Sequence, residues 1–369
     1  MTKHNPNNER IKHQYFGFLR DAMRMSEPTI DGAAKALARF EAYTNHKDFK
    51  TFRHEQATGF KRQLSTQTSQ RKGIGLSKST LHATYAHLKR FFEWLAREPG
   101  YKSCIKYSDA EYFNTSSKDK QIATARRSQK VPSLEQILHV INSMPSNTDV
   151  EKRNRALIAF TLMTGARDSA IASAKLKHIN LEDGSFFQDA REVNTKFSKT
   201  FTTFFFPVDD SIRQVFESWF TYLTSEKLYG NDDPLFPMTN ITISDNHQFE
   251  AAGLKPEHWS SAAPIRSIFR TTFNEAGLEY FNPHSFRNTL VRLGEIKCKT
   301  PEAFKAWSQN LGHERVLTTF YSYGEVSQER QAEILKNLKM STKNQLDGNF
   351  QLALEEVAKY IRARTLEES

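Results

Sequence analysis

Cysteine is nearly missing from this chain: Cys104 and Cys298 are the two among 369 residues, and no CxxC pair occurs. A disulfide scaffold and a cysteine-built zinc site are thereby excluded, and a reducing compartment fits. Long apolar runs are missing too. None approaches the ~18 residues a membrane-spanning helix needs, and the polar start, Met1 to Asn8, lacks the pattern of a signal peptide. No cluster of Asp and Glu carries metal-ligand spacing, which disfavours a two-metal nuclease. No Ser/His/Asp pattern points to acyl transfer. Internal repeats and low-complexity tracts are also absent. The expectation is a soluble intracellular protein with no cofactor, no metal and no membrane partner.

What is present is an ordinary globular composition, 38% hydrophobic and 25% charged, long enough for two or three domains with ample core. The net charge of +10 is uneven. Residues 1–130 hold 25 Lys and Arg against 12 Asp and Glu, leaving 27 basic and 30 acidic residues in the rest. A polyanion held mainly by the N-terminal third is the direct physical reading, although a solvated basic domain would show the same balance.

The first third reads as helical. After Asp31, Ala34, Leu37 and Phe40 form one stripe, and a stronger helix follows Ser77, where Leu81, Tyr85, Leu88, Phe92 and Leu95 recur at helical steps. Ser77 or Ser79 caps its start and Pro99-Gly100 stops it. Lys78, His82, Lys89 and Arg90 share one flank of that stripe. A helix with one core face and one basic face can enter a DNA major groove, and an exposed bundle helix looks alike. Apolar periodicity then fades. Residues 111–131 read as a basic interdomain linker in which Arg126, Arg127 and Lys130 could track a phosphate backbone. A new helical domain opens at Ser133, where Ser133 and Gln136 resemble a capping box. Strand-like runs lie at Ser185–Gln188 and Phe201–Val208, and residues after Asp209 are again mostly helical. The fold class is therefore mainly α with a small β-sheet.

Four segments of the second domain carry chemistry: Arg167 in TGARDSA, Lys196 and Lys199 in NTKFSKT, His284 and Arg287 as an HxxR pair in PHSFRNT, and LGHERVLTTFYSYG with His313, Tyr321 and Tyr323. Each alone is ordinary, since a lone Arg is commonly a surface ion-pair residue and a late Tyr pair commonly packs. Together they fit attack on a phosphodiester. Phosphoryl transfer asks for positioning and for positive charge around the non-bridging oxygens. Two guanidiniums provide it bidentately and never deprotonate. A tyrosine nucleophile, with an ordinary pKa near ~10, needs a cationic pocket or a base. The departing 5′-hydroxyl needs a proton, which a lysine can give.

The order Arg … Lys … HxxR … LGHxxxxTT … Tyr resembles that of the tyrosine recombinases, or phage-type integrases. The resemblance is close over residues 133–325 and looser over 11–97. It implies a two-domain C-clamp on DNA: a helical core-binding domain (1–110), the linker (111–131), a mixed α/β catalytic domain with a small antiparallel sheet (132–340), and a C-terminal helix (341–369) that contacts a neighbouring protomer. It implies a site-specific recombinase of a mobile element, phage or chromosome-maintenance system, working through a 3′-phosphotyrosyl bond without metal or ATP. The partners are double-stranded DNA with inverted-repeat core sites and further copies of the chain, as a tetramer on DNA, in a bacterial cytoplasm and at the nucleoid.

Residue by residue, Arg167 and Arg287 resemble the two catalytic arginines and His284 the histidine of HxxR. His313 takes the position that hydrogen-bonds the scissile phosphate. Lys196 matches the family lysine, with Lys199 in the same turn as the alternative. Two departures stand out. The family's acidic residue three positions after the first arginine is Ala170 here, and only Asp168 is near. The usual nucleophile position, nine residues after the LGH histidine, is Ser322, flanked by Tyr321 and Tyr323. Some integrases end this motif in TTFxSYG, so Tyr323, before Gly324, is assigned as nucleophile and Tyr321 as its alternative. A DNA-binding relative that cuts poorly and a type IB topoisomerase-like enzyme are the other readings.

Overall fold

Phenylalanine builds the core of the N-terminal unit. In the computed structural model the described residues are 4–67, 75–125, 130–243 and 248–313, and the chain divides into two units, Met1–Arg126 and Arg127–Ser369. The first contains α1 (Pro6–Gly17), α2 (Glu27–Tyr43), α3 (His54–Thr66), α4 (Lys78–Leu95) and α5 (Ser117–Thr124). The Phe40 ring meets Phe52, Phe60, Phe92 and Phe113 edge-on, while Phe52 stacks on Phe92 at 3.7 Å. Such pairs add to the burial of area that drives this core. On α4 the five periodic residues are all buried, joined by Thr84 and Phe91. Ser77 caps it by accepting from the Thr80 amide at 3.1 Å. On α2 the buried stripe runs through Ile30, Ala33, Leu37 and Phe40, so Ala33 replaces the expected Ala34, which is half-buried.

The segment expected to begin a linker at residue 111 is folded. Residues 107–113 form a tight helical turn, α5 follows, and both pack on α4. Two residues anchor this segment, Ala110 and Phe113, both buried in the aromatic core. Isolated apolar residues among polar ones leave no periodicity to read.

The second unit contains α6 (Leu134–Ser143), α7 (Asp149–Thr164), α8 (Asp168–Ala172), α9 (Asp210–Thr221), α10 (Ala263–Glu275), α11 (Ser285–Lys297) and α12 (Pro301–Asn310). The Ser133/Gln136 capping box at the start of α6 is formed. Residues 156–164 of α7 are buried on every side, the mark of a central helix. Beside it β1 (Ile179–Asn180), β2 (Ser185–Gln188) and β3 (Phe201–Phe204) form an antiparallel sheet in that order. Phe186 faces the core opposite Thr203, while Phe187 and Phe204 face outward, as a two-residue repeat requires. A second antiparallel pair, β4 (Met238–Ile243) and β5 (Phe249–Lys255), interrupts the stretch read as mostly helical. Buried Arg153 of α7 holds its base, donating to the Pro237 carbonyl at 2.8 Å and to Thr239 Oγ1 at 3.0 Å. Among the described residues no helix is long and apolar enough to cross a membrane.

Candidate active site

The site begins where α7 ends. Gly165 closes that helix in a left-handed conformation, φ +59°. A Cβ there would lie 2.8 Å from Leu311 and 2.9 Å from Leu290, so both backbone and space require glycine. The turn delivers Arg167 to the N-cap of α8. Asn282 captures the Ser285 amide at 3.1 Å and so starts α11, which carries His284 at its cap and Arg287 one turn in. α12 ends at Asn310 with Leu311 as its cap, and Gly312, φ +71°, turns the chain to present His313.

Arg287 ties these pieces together. It is 4% exposed, and its two terminal nitrogens donate to the carbonyls of Gly165 and Leu311. Nη2 also meets His313 Nε2 at 3.2 Å. A guanidinium only donates, so Nε2 accepts, and the neutral ring carries its proton on Nδ1. Burial, then the like charge of Arg167, push Arg287 down to about 9, which leaves it cationic at neutral pH. Burial also lowers Arg167. Among the described residues no acidic side chain pairs with either arginine. Burial, then the charges of Arg287 and Arg167, push His313 down to about 4, with smaller effects from His284 and Lys199. The same two causes lower His284, opposed by Asp168 and helped by Lys196. Both imidazoles are therefore neutral at pH 7, one able to accept a proton and the other to donate a hydrogen bond.

The lysines arrive on the turn between β2 and β3. Asn194, at its start, accepts from Ser169 Oγ at 3.1 Å and donates its amide to Ser173 Oγ at 2.8 Å, which ties the turn to α8. At the far end the Asn310 side chain brackets Phe204, accepting from its amide at 2.7 Å and donating to its carbonyl at 2.8 Å. Lys196 and Lys199 thus sit on a strap fastened to α8 at one end and to the last residue of α12 at the other. Lys196 acts electrostatically on His284 and Lys199 on His313.

Ala170 is buried, 1% exposed, so a carboxylate at that position would stand in the core. Asp168 accepts instead from Arg266 Nε on α10 at 2.7 Å. Arg266, missed in the sequence, lines a cleft of about 260 Å³ with Arg167, Asp168, Asn282, Pro283 and His284. Its partner lies 98 residues away in the chain; no local pattern signals it. The structure thus brings Arg167, His284, Arg287 and His313 together, with both Lys196 and Lys199 close enough to act on the histidines. Tyr321, Tyr323, Arg126, Arg127 and the C-terminal helix lie outside the described residues.

In the first unit the basic flank of α4 is largely committed to its own segment 114–119. Lys78 pairs with Asp119 at 2.8 Å, His82 meets Thr115 Oγ1 at 3.1 Å, and Lys89 donates to Asn114 at 2.9 Å. Arg90 is exposed. Lys130, also exposed, is 3.3 Å from Glu279.

A family profile described as the phage integrase family matches residues 131–330. The chain belongs to the phage integrase family. With membership comes the activity class of a tyrosine site-specific recombinase. No curated protein sequence matches the chain. Among solved structures it is similar to a lambda integrase dimer bound to a COC′ core site, at TM-score 0.58 and 11% identity, covering 92% of this chain and 99% of that one. It is also similar to the XerH site-specific recombinase bound to a palindromic difH substrate after cleavage, at 0.57 and 19%, covering 88% and 84%. A third is the Tn1549 transposon integrase in complex with transposon right-end DNA, at 0.55 and 15%, covering 89% and 99%. These likenesses show the fold, mostly helical with small antiparallel sheets.

Proposed function

We propose that this integrase cleaves and rejoins double-stranded DNA at inverted-repeat core sites through a covalent phosphotyrosyl intermediate, without metal or ATP. The observation that carries this reading is Arg287, a buried cation with no carboxylate partner among the described residues. Burying a charge costs several kcal/mol unless it is compensated, and two backbone carbonyls compensate this one only in part. A phosphate in the cleft lined by Arg167 and His284 completes the balance.

In this mechanism Tyr323 Oη attacks the scissile phosphorus and His284, held neutral, accepts its proton. The bond from phosphorus to the 5′ oxygen breaks, and Lys196 protonates the departing 5′-hydroxyl. Arg167 and Arg287 neutralise the non-bridging oxygens, and His313 donates from Nδ1. The 3′-phosphotyrosyl bond keeps the energy of the phosphodiester, so a 5′-hydroxyl reverses the steps on the same or another strand. Exchange between two duplexes calls for four protomers. On the first unit, Arg90 is the exposed groove contact of α4.

The test is covalent capture from a pool of nicked duplexes with randomised core arms. Recovered protein–DNA adducts that converge on an inverted repeat support a recombinase. Adducts without sequence preference, together with relaxation of supercoiled plasmid, indicate topoisomerase-like chemistry. Tight DNA binding with no adduct leaves a binding protein and removes this proposal.

A further inference from the structure

Phe197 is 84% exposed and lies in the left-handed region at φ +61°, followed by Ser198 at φ +50°. Neither is glycine or asparagine, the residues that take this conformation at least cost. A turn selected only to reverse the chain would not place a large apolar ring at such a position. Strain of this kind persists where the surroundings hold it and clusters at functional sites. Here the surroundings do hold it: Asn194 is fastened by Ser169 and Ser173, and the Ala190 amide donates to Thr200 Oγ1 at 3.0 Å across the turn.

The flanks decide what the ring meets. Lys196 Nζ stands 4.8 Å from the Phe197 ring centre, and Lys199 follows two residues on. An apolar tip between cations, on the strap beside the two arginines, suits a polyanion with an apolar interior better than a protein face. DNA has that character, with phosphates outside and stacked bases within, and apolar wedges that enter a groove partly unstack a base step.

We propose that Phe197 is a wedge that opens the base step next to the scissile phosphate while Lys196 and Lys199 hold the backbone on either side. An opened step frees the cleaved 5′-hydroxyl end to leave for its new partner, so the wedge serves strand exchange as well as cleavage. The inference rests on the recombinase reading above, because it places the scissile phosphate at the arginines.

The experiment uses the full chain and the nicked duplex captured from the randomised pool, with 2-aminopurine on either side of the scissile phosphate. Wild type is expected to raise the fluorescence of that step severalfold on binding. Phe197→Gly, which suits the left-handed backbone, should melt at the same or a higher temperature. It should also leave the step dark and slow adduct formation by about 10-fold or more, whereas Phe197→Leu keeps most of both signals. A mismatch at the step, which supplies the opening in advance, should restore the Gly variant. Equal fluorescence and equal adduct rates for Phe197→Gly and wild type would overturn the wedge. So would an unchanged fluorescence rise accompanied by loss of self-association, which would assign the ring to another copy of the chain. If the pool yields no adduct with wild type, the recombinase reading fails by itself; once a duplex is captured, its fluorescence decides the wedge.

Discussion

Single atoms at Gly165 decide whether the two arginines meet. Its carbonyl holds Arg287, its left-handed φ turns the chain toward Arg167, and Leu290 and Leu311 fill the space a Cβ would need. Gly165→Ala is expected to cost about 2–4 kcal/mol from backbone strain and overpacking together, read as a lower urea midpoint. Adduct formation should fall further than the lost stability explains, because the acceptor of Arg287 moves. His313 gives a second prediction. Its folded pKa of about 4 lies below the ordinary 6.5, so in between it binds a proton only when the protein unfolds. Its contribution is present above pH 6.5 and lost as pH falls toward 4. Stability should decline from pH 7 to 5, with His284 acting in the same direction, and His313→Gln should flatten the decline in urea titrations.

At the scale of elements, the basic flank of α4 separates residues that the sequence places together. Lys89 already serves Asn114 and lies 3.7 Å from Glu93, whereas Arg90 is exposed. Arg90→Ala is therefore expected to lower the slope of log affinity against log salt by about one, as loss of one phosphate contact does, and Lys89→Ala by less. Filter binding across a salt series measures both. Helix α4 was legible because its apolar side repeats at 3.6 residues, and the capping box of α6 because both partners lie within one turn. The hairpin of β4 and β5 was not: Ile241, Ile243 and Phe249 are all exposed, so its alternation does not mark a buried face. The pairing of Asp168 with Arg266 was equally hidden, since two surface charges far apart in the chain carry no pattern until α10 packs beside α8.

For the whole molecule, a basic N-terminal third precedes a unit in which Arg167 and Arg266 line one cleft and Arg287 lies buried against His313. The ordered motifs from Arg167 to LGH were readable because each sits where a helix or strap ends, and such ends have sequence signals in glycine, proline and asparagine. How the site holds its charge was not readable, because the carbonyls of Gly165 and Leu311 are far apart in the chain and meet at Arg287 only in the fold. DNA affinity should fall steeply with salt, since phosphate contacts release counterions; a flat response would remove the polyanion reading of the basic third. The most direct test of the account is covalent trapping on the captured nicked duplex, with wild type, Tyr323→Phe, Tyr321→Phe and Arg287→Lys compared on a denaturing gel. The account predicts an adduct for wild type and Tyr321→Phe, none for Tyr323→Phe, and a loss of about 100-fold or more for Arg287→Lys, whose point charge cannot span two carbonyls and a phosphate. An adduct that survives Tyr323→Phe, or one that Arg287→Lys forms at the wild-type rate, would contradict it.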